Sequence, residues 1–177
     1  MVRPRGAPGH RCVRHPPARR GAAKSGESAC PRARSSPVEI ASGIHFRLDR
    51  QQILADPEPP HIEAILDESV LRRTVGGRAN LREQLAHLVE LAQRPNIEIR
   101  ILPFVSGAHA SHDGSFRIFA MPEPYPQVAY VDTSAGGIYV EAEGLERLTL
   151  KFDRIRTDSL DPAQSTDLIS AVVDELG

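Results

Sequence analysis

Two histidines and an aspartate fall within five positions in "PFVSGAHASHDGSF", residues 103 to 116. Such residue types suit two kinds of chemistry: imidazole and carboxylate ligands for a divalent metal, or a His–Asp pair moving a proton. On a helix His109 and His112 would share a face, as zinc ligands do, but Gly107 and Gly114 and the strand-like runs on either side place them on a loop. A loop spacing alone does not define a metal site, and a third ligand would have to come from His61, His87 or Glu63, none at a recognisable spacing. The reading with the most support is a structural turn, in which Asp113-Gly114 bends the chain into the next strand. A separate reading makes His109, Asp113 and Gly114 the lining of a ligand or partner site. The alternative is a small metal-assisted hydrolase using His109, His112 and Asp113.

Other catalytic patterns are absent from the sequence. Ser106 and Ser115 flank the loop without a Gly-x-Ser-x-Gly elbow, and the glycine pairs of "VGGRAN" and "SAGGIY" lack the Lys-Ser/Thr of a phosphate loop, so they read as turns. Glu63, Asp67 and Glu68 cluster near a strand end, where solvated strand-face charges are the expected role. The expectation is therefore of no catalytic residue, no metal and no cofactor.

Charge is divided unevenly between a tail and a body. Residues 1 to 37 hold nine of the 22 Lys/Arg and one of the 23 Asp/Glu, so the rest carries 13 bases and 22 acids. Phosphate neutralisation by Lys and Arg supplies most non-specific nucleic-acid affinity, so direct DNA binding by the acidic body is not expected. The basic tail could make such contacts as an accessory arm. Six prolines and few large apolar side chains in the same 37 residues predict disorder, because too little surface is available to offset the entropy of ordering. Both cysteines, Cys12 and Cys30, lie in this tail, so the body has neither a disulfide framework nor a cysteine-based zinc site. No apolar run approaches the roughly 20 residues that span a bilayer, and the basic start leads into no apolar stretch, so a cytoplasmic location is expected.

The elements that would position the loop follow from periodicity. "FRLDRQQIL" predicts the end of a short helix before the breaker run "DPEPP". "HIEAILDE" alternates Ile62, Ala64 and Leu66 against Glu63 and Asp67, a strand buried on one face. "RANLREQLAHLVELAQ" places Leu81, Leu85, Leu88 and Ala92 on one helical stripe, and "IEIRIL" then switches to period two, the signature of a β-α-β unit. After the loop, "SFRIFAM", "QVAYVD" and "GIYVEA" are three short strands whose brief connections favour an antiparallel meander. Two helices close the chain: Leu145, Leu148, Phe152 and Ile155 face one way in the first. In the second, Asp161, Pro162 and Gln164 form a capping box ahead of Leu168, Ile169, Val172 and Val173. The fold class expected is α+β, a mixed, mostly antiparallel sheet of about five strands with packed helices over residues 46–177, preceded by a disordered basic tail over residues 1–45.

The ordered series "ILDESVLRRTVGGRANLREQLAHLVELAQRPNIEIRILPFVSGAHASHDGSF" and "VAYVDTSAGGIYVEAEGLERLTLKFDRIRTDSL" resembles the actinobacterial domain of unknown function 5753 family. Within it, Gly107, Ala108, His109, Asp113, Gly114 and Phe116 match the family pattern, and His112 is an addition. The resemblance implies a regulatory domain that follows a helix-turn-helix domain of the xenobiotic-response-element type in transcriptional regulators. Residues 1 to 45 lack the spaced apolar positions of such a DNA-binding unit and the family's "PGLLQT"-like segment. The expected function is thus ligand or partner sensing without the DNA-binding half, with a small-molecule effector or a partner protein as counterpart.

Overall fold

Alternation of apolar and polar residues needs a covering layer on each apolar face, and this sheet has helices on both sides. The computed structural model describes residues 9–13, 52–111, 114–133 and 136–177. Within them lie strands β1 (Gly9–Val13), β2 (His61–Asp67), β3 (Ile97–Leu102), β4 (Phe116–Phe119), β5 (Val128–Thr133) and β6 (Gly136–Val140). The helices are α1 (Ser69–Arg72), α2 (Arg78–Ala92), α3 (Ala142–Asp158) and α4 (Pro162–Glu175), with a 3-10 turn at Gln52–Ala55. That turn is the described part of the predicted first helix; residues 46 to 51 fall outside the described residues.

All six strands form one sheet in the order β3-β2-β1-β4-β5-β6. β1, β2 and β3 run parallel, β4 joins β1 antiparallel, and β5 and β6 each pair antiparallel with the strand before. The predicted β-α-β unit is β2 to β3 through α1 and α2, and the meander is β4 to β6. A strand at Gly9–Val13 was not among the elements expected from the sequence. Its partners, β2 and β4, lie far along the chain, and pairing with them supplies what its own sequence does not.

Register sorts the side chains into two layers. Ile62, Ala64 and Leu66 stand beside Ile97, Ile99 and Ile101. This face is closed by Leu81, Leu85 and Leu88 of α2 and Ile169 and Val172 of α4, helices that also pack on each other. On the opposite face Phe152 and Ile155 of α3 meet Ile65, Leu102, Phe116, Ile118 and Ala129. β2 is therefore covered on both faces, contrary to the one-sided burial expected for it, because α3 lies over the side that carries Glu63, Ile65 and Asp67.

The helix ends behave as their residues dictate. Asp161 accepts the Gln164 backbone N–H at 2.8 Å, and Gln164 Oε1 accepts the Asp161 N–H at 3.3 Å, the reciprocal cap foreseen for α4. Gly76 and Gly77 enter α2 at φ of 80° and 94°, a region where only glycine is unstrained. The outer edge of β3 is finished by the α3–α4 junction: Leu160 N–H donates to the Ile101 carbonyl at 2.9 Å, and Ile101 N–H donates to Ser165 Oγ at 2.9 Å. Among the described residues no helix is long and apolar enough to cross a membrane.

Candidate functional site

The start of the loop after β3 is held by neighbouring elements. Phe104 N–H donates to Glu68 Oε2 at 2.9 Å, and Ser106 Oγ donates to the Asp158 carbonyl at 2.8 Å, at the end of α3. His109 is half-buried. Its Nδ1 accepts the Ser111 N–H at 3.2 Å, which leaves the proton of a neutral ring on Nε2, 3.8 Å from Asp67 Oδ2. Asp67 in turn is oriented by the Ser69 N–H, which donates to its Oδ1 at 2.9 Å. Gly114 takes φ of 123°, its N–H donates to the Ser111 carbonyl at 3.4 Å, and its own carbonyl accepts Ser111 Oγ at 3.1 Å.

Of the residues singled out in the sequence, His109 and Gly114 thus belong to one turn closed by Ser111, and His112 and Asp113 lie outside the described residues. Two of the other ligands considered for a metal, His87 and Glu63, are engaged elsewhere. His87 lies 3.3 Å from Glu90 on α2, and Glu63 faces arginines on β3 and α3. Among the described residues no three His, Cys, Asp or Glu side chains converge as metal ligands would.

A second polar constellation was not foreseen. Glu63, expected to be a solvated strand-face charge, is 5% exposed. Its Oε1 sits 2.9 Å from Arg156 Nε and 3.8 Å from Arg100 Nε. The Arg156 contact lies off the direction of the N–H, so it is an ion pair more than a directed hydrogen bond. Arg100 Nε also reaches Glu98 Oε1 at 2.6 Å. Parallel register explains the grouping: Glu63 stands opposite Glu98, and Arg100 follows two positions later on the same face. α3 contributes Arg156, the residue after the buried Ile155, so its side chain leaves the core at the border of the apolar cluster.

These arginines line an open groove of about 550 Å³ between the end of α3 and the start of α4, together with Asp153, Asp161 and Gln164. Arg156 is 44% exposed at its side chain, against 7% for the carboxylate that holds it. A planar guanidinium paired through Nε on a side chain that stays partly exposed is suited to a carboxylate or phosphate of a small ligand. The flanking carboxylates of Asp153 and Asp161 favour a ligand that also bears a cationic or hydrogen-bond-donating group. The signal for this cluster was present as Glu63, Glu98 and Arg100 at period-two positions. Only the register and the packing of α3 bring them together.

No curated protein and no solved structure matches this chain. A family model, Domain of unknown function (DUF5753), matches residues 27–171, opening ahead of the boundary drawn at residue 46 and taking in β2 to β6, α1 to α3 and most of α4. The match covers both polar constellations and most of the chain, which therefore belongs to the DUF5753 family.

Proposed function

We propose that this domain is the effector-sensing part of a cytoplasmic transcriptional regulator whose DNA contacts are made by a helix-turn-helix unit, and that it binds without catalysing. The observation that carries this reading is the buried Glu63 carboxylate paired with Arg156, which lines an open groove. Burying a charge costs several kcal/mol unless a partner offsets it, so a buried anion that ends by presenting a half-exposed cation is spent on positioning that cation. The effector is a small molecule with one carboxylate or phosphate for Arg156 and a polar group for Asp153 or Asp161. The acidic balance of the body outside residues 1 to 37 sets this binding surface apart from one built for DNA.

The test is a thermal-shift and calorimetric screen of the full chain against carboxylates, phosphates and amino acids. A true effector at about 100 times its Kd stabilises the fold by about 2.7 kcal/mol. Arg156→Ala should abolish that shift while the far-ultraviolet spectrum is kept. Tight, salt-resistant binding of a defined operator by this chain, or ligand binding unaffected by Arg156→Ala, would refute the proposal.

A further inference from the structure

The two edges of the sheet are treated differently. β3 is closed by the Leu160 N–H and Ser165 Oγ, whereas among the described residues nothing pairs with the outer side of β6. Exposed edges are usually blunted by charge, proline, a bulge or a covering segment. β6 reads Gly-Gly-Ile-Tyr-Val, with no charge and no proline, and Ile138 and Tyr139 are 53% and 71% exposed.

We infer that β6 is a self-association edge, where two copies of the chain join antiparallel about a twofold axis through Ile138. Thr133 and Gly136 flank a two-residue connection, and the residues flanking such a hairpin form a hydrogen-bonded pair. Alternation from there makes Val131–Ile138 and Ala129–Val140 hydrogen-bonded pairs too, which turns the N–H and C=O of Gly137 and Tyr139 away from β5. With Ile138 opposite Ile138 of the second copy, Gly137 falls opposite Tyr139 of that copy, and the reverse. All four outward N–H and C=O groups of each strand are then matched. Shifting the register by two residues in either direction carries a pairing beyond the ends of the strand, so one arrangement is selected.

Side chains agree with that register. Tyr130 lies over Gly137, where a Cβ would collide with its ring, and packs edge-on against Tyr139 with centroids 5.2 Å apart. In the pair, Tyr139 of the second copy stands beside that Tyr130 ring, giving a continuous row of four tyrosines on one face and an Ile138–Ile138 contact on the other. The strand itself sets no like charges opposite one another. One five-residue strand makes a small interface, so the dimer belongs to the weak, transient class below about 1,200 Å².

Sedimentation velocity of the full chain over a wide concentration range should show a reversible monomer–dimer equilibrium. Ile138→Lys, which sets two ammonium groups against each other on the axis, should weaken it at least tenfold. Tyr139→Pro removes an outward N–H without touching the ladder to β5, and should do the same. Ile138→Cys provides a register-specific test that needs no loss of stability: non-hydrogen-bonded pairs place Cα atoms at about 4.5 Å, within disulfide range, so mild oxidation should link residue 138 to residue 138, identified by peptide mass. Tyr139→Cys should not cross-link in this way. A chain monomeric at every concentration would overturn the inference. So would a dimer indifferent to Ile138→Lys, or equal cross-linking at both positions.

Discussion

Replacing Glu63 by Gln removes one charge and keeps the shape, which makes it the most direct probe of the ion cluster under α3. At 2.9 Å the Glu63–Arg156 attraction is about 6 kcal/mol gross at an effective dielectric of about 20, much of it offset by the desolvation of the carboxylate. Breaking a fully buried pair costs about 3–5 kcal/mol, and an exposed pair contributes about 0–1 kcal/mol. Arg156, at 44% side-chain exposure, can recover water when its partner is neutral, and Arg100 keeps Glu98, so the loss falls between these limits, at about 2–3 kcal/mol. In urea this corresponds to a midpoint lower by about 1–2 M at the slopes usual for small domains. A double-mutant cycle with Arg156→Met should give a coupling of about 1 kcal/mol or more, since the residues are in contact. The Glu63→Leu/Arg156→Met pair should recover part of the loss, because no charge is then left buried. A cost for Glu63→Gln below about 0.5 kcal/mol, the size of an ordinary surface change, would refute the assignment of Glu63 as a buried anchor.

Ser165→Ala removes the acceptor of the Ile101 N–H at the edge of β3, and an orphaned buried N–H should cost about 1–3 kcal/mol, with faster hydrogen exchange at Ile101 as the local readout. The Tyr130 hydroxyl hydrogen-bonds to Asp132, and that carboxylate, with lesser help from partial desolvation, raises the phenol above its ordinary pKa, against the lowering influence of Arg117. A raised folded-state pKa means that this bond stabilises the fold below the unfolded phenol's pKa and that its contribution is lost as pH climbs through the folded one. Ultraviolet titration at high pH in a Tyr125→Phe/Tyr139→Phe background should show late ionisation of Tyr130. Asp132→Asn should bring the transition to lower pH, and an unmoved titration would argue against the bond.

Local patterning made most of the fold legible. Ile97, Ile99 and Ile101 announce β3, the stripe Leu81-Leu85-Leu88 announces α2, and the Asp161-Pro162-Gln164 cap marks the first turn of α4, because each signal is written within a few residues. β1 carries no such signal. Its place between β2 and β4 is set by partners more than 45 positions away. Glu63 was misread for a related reason: alternation shows which residues share a face of β2, but not that α3, some 80 residues later, covers that face. At the loop the limit is different. Five consecutive residues, His109 to Asp113, suggest chemistry by proximity in sequence, and proximity is the usual property of a turn.

The contrast between the two polar constellations follows from where their partners come from. Around His109, the Ser111 N–H satisfies Nδ1, and Ser111 and Gly114 satisfy each other, so much of the bonding stays within six residues. Glu63, Arg100 and Arg156 come from three elements, and each is placed by the burial of an apolar neighbour: Ile65 on β2, Ile101 on β3 and Ile155 on α3. Any shift of α3 across the sheet therefore changes the Glu63–Arg156 distance. A ligand bridging Arg156 on α3 to Asp161 at the start of α4 would act directly on that distance, which gives the groove a mechanical route into the sheet.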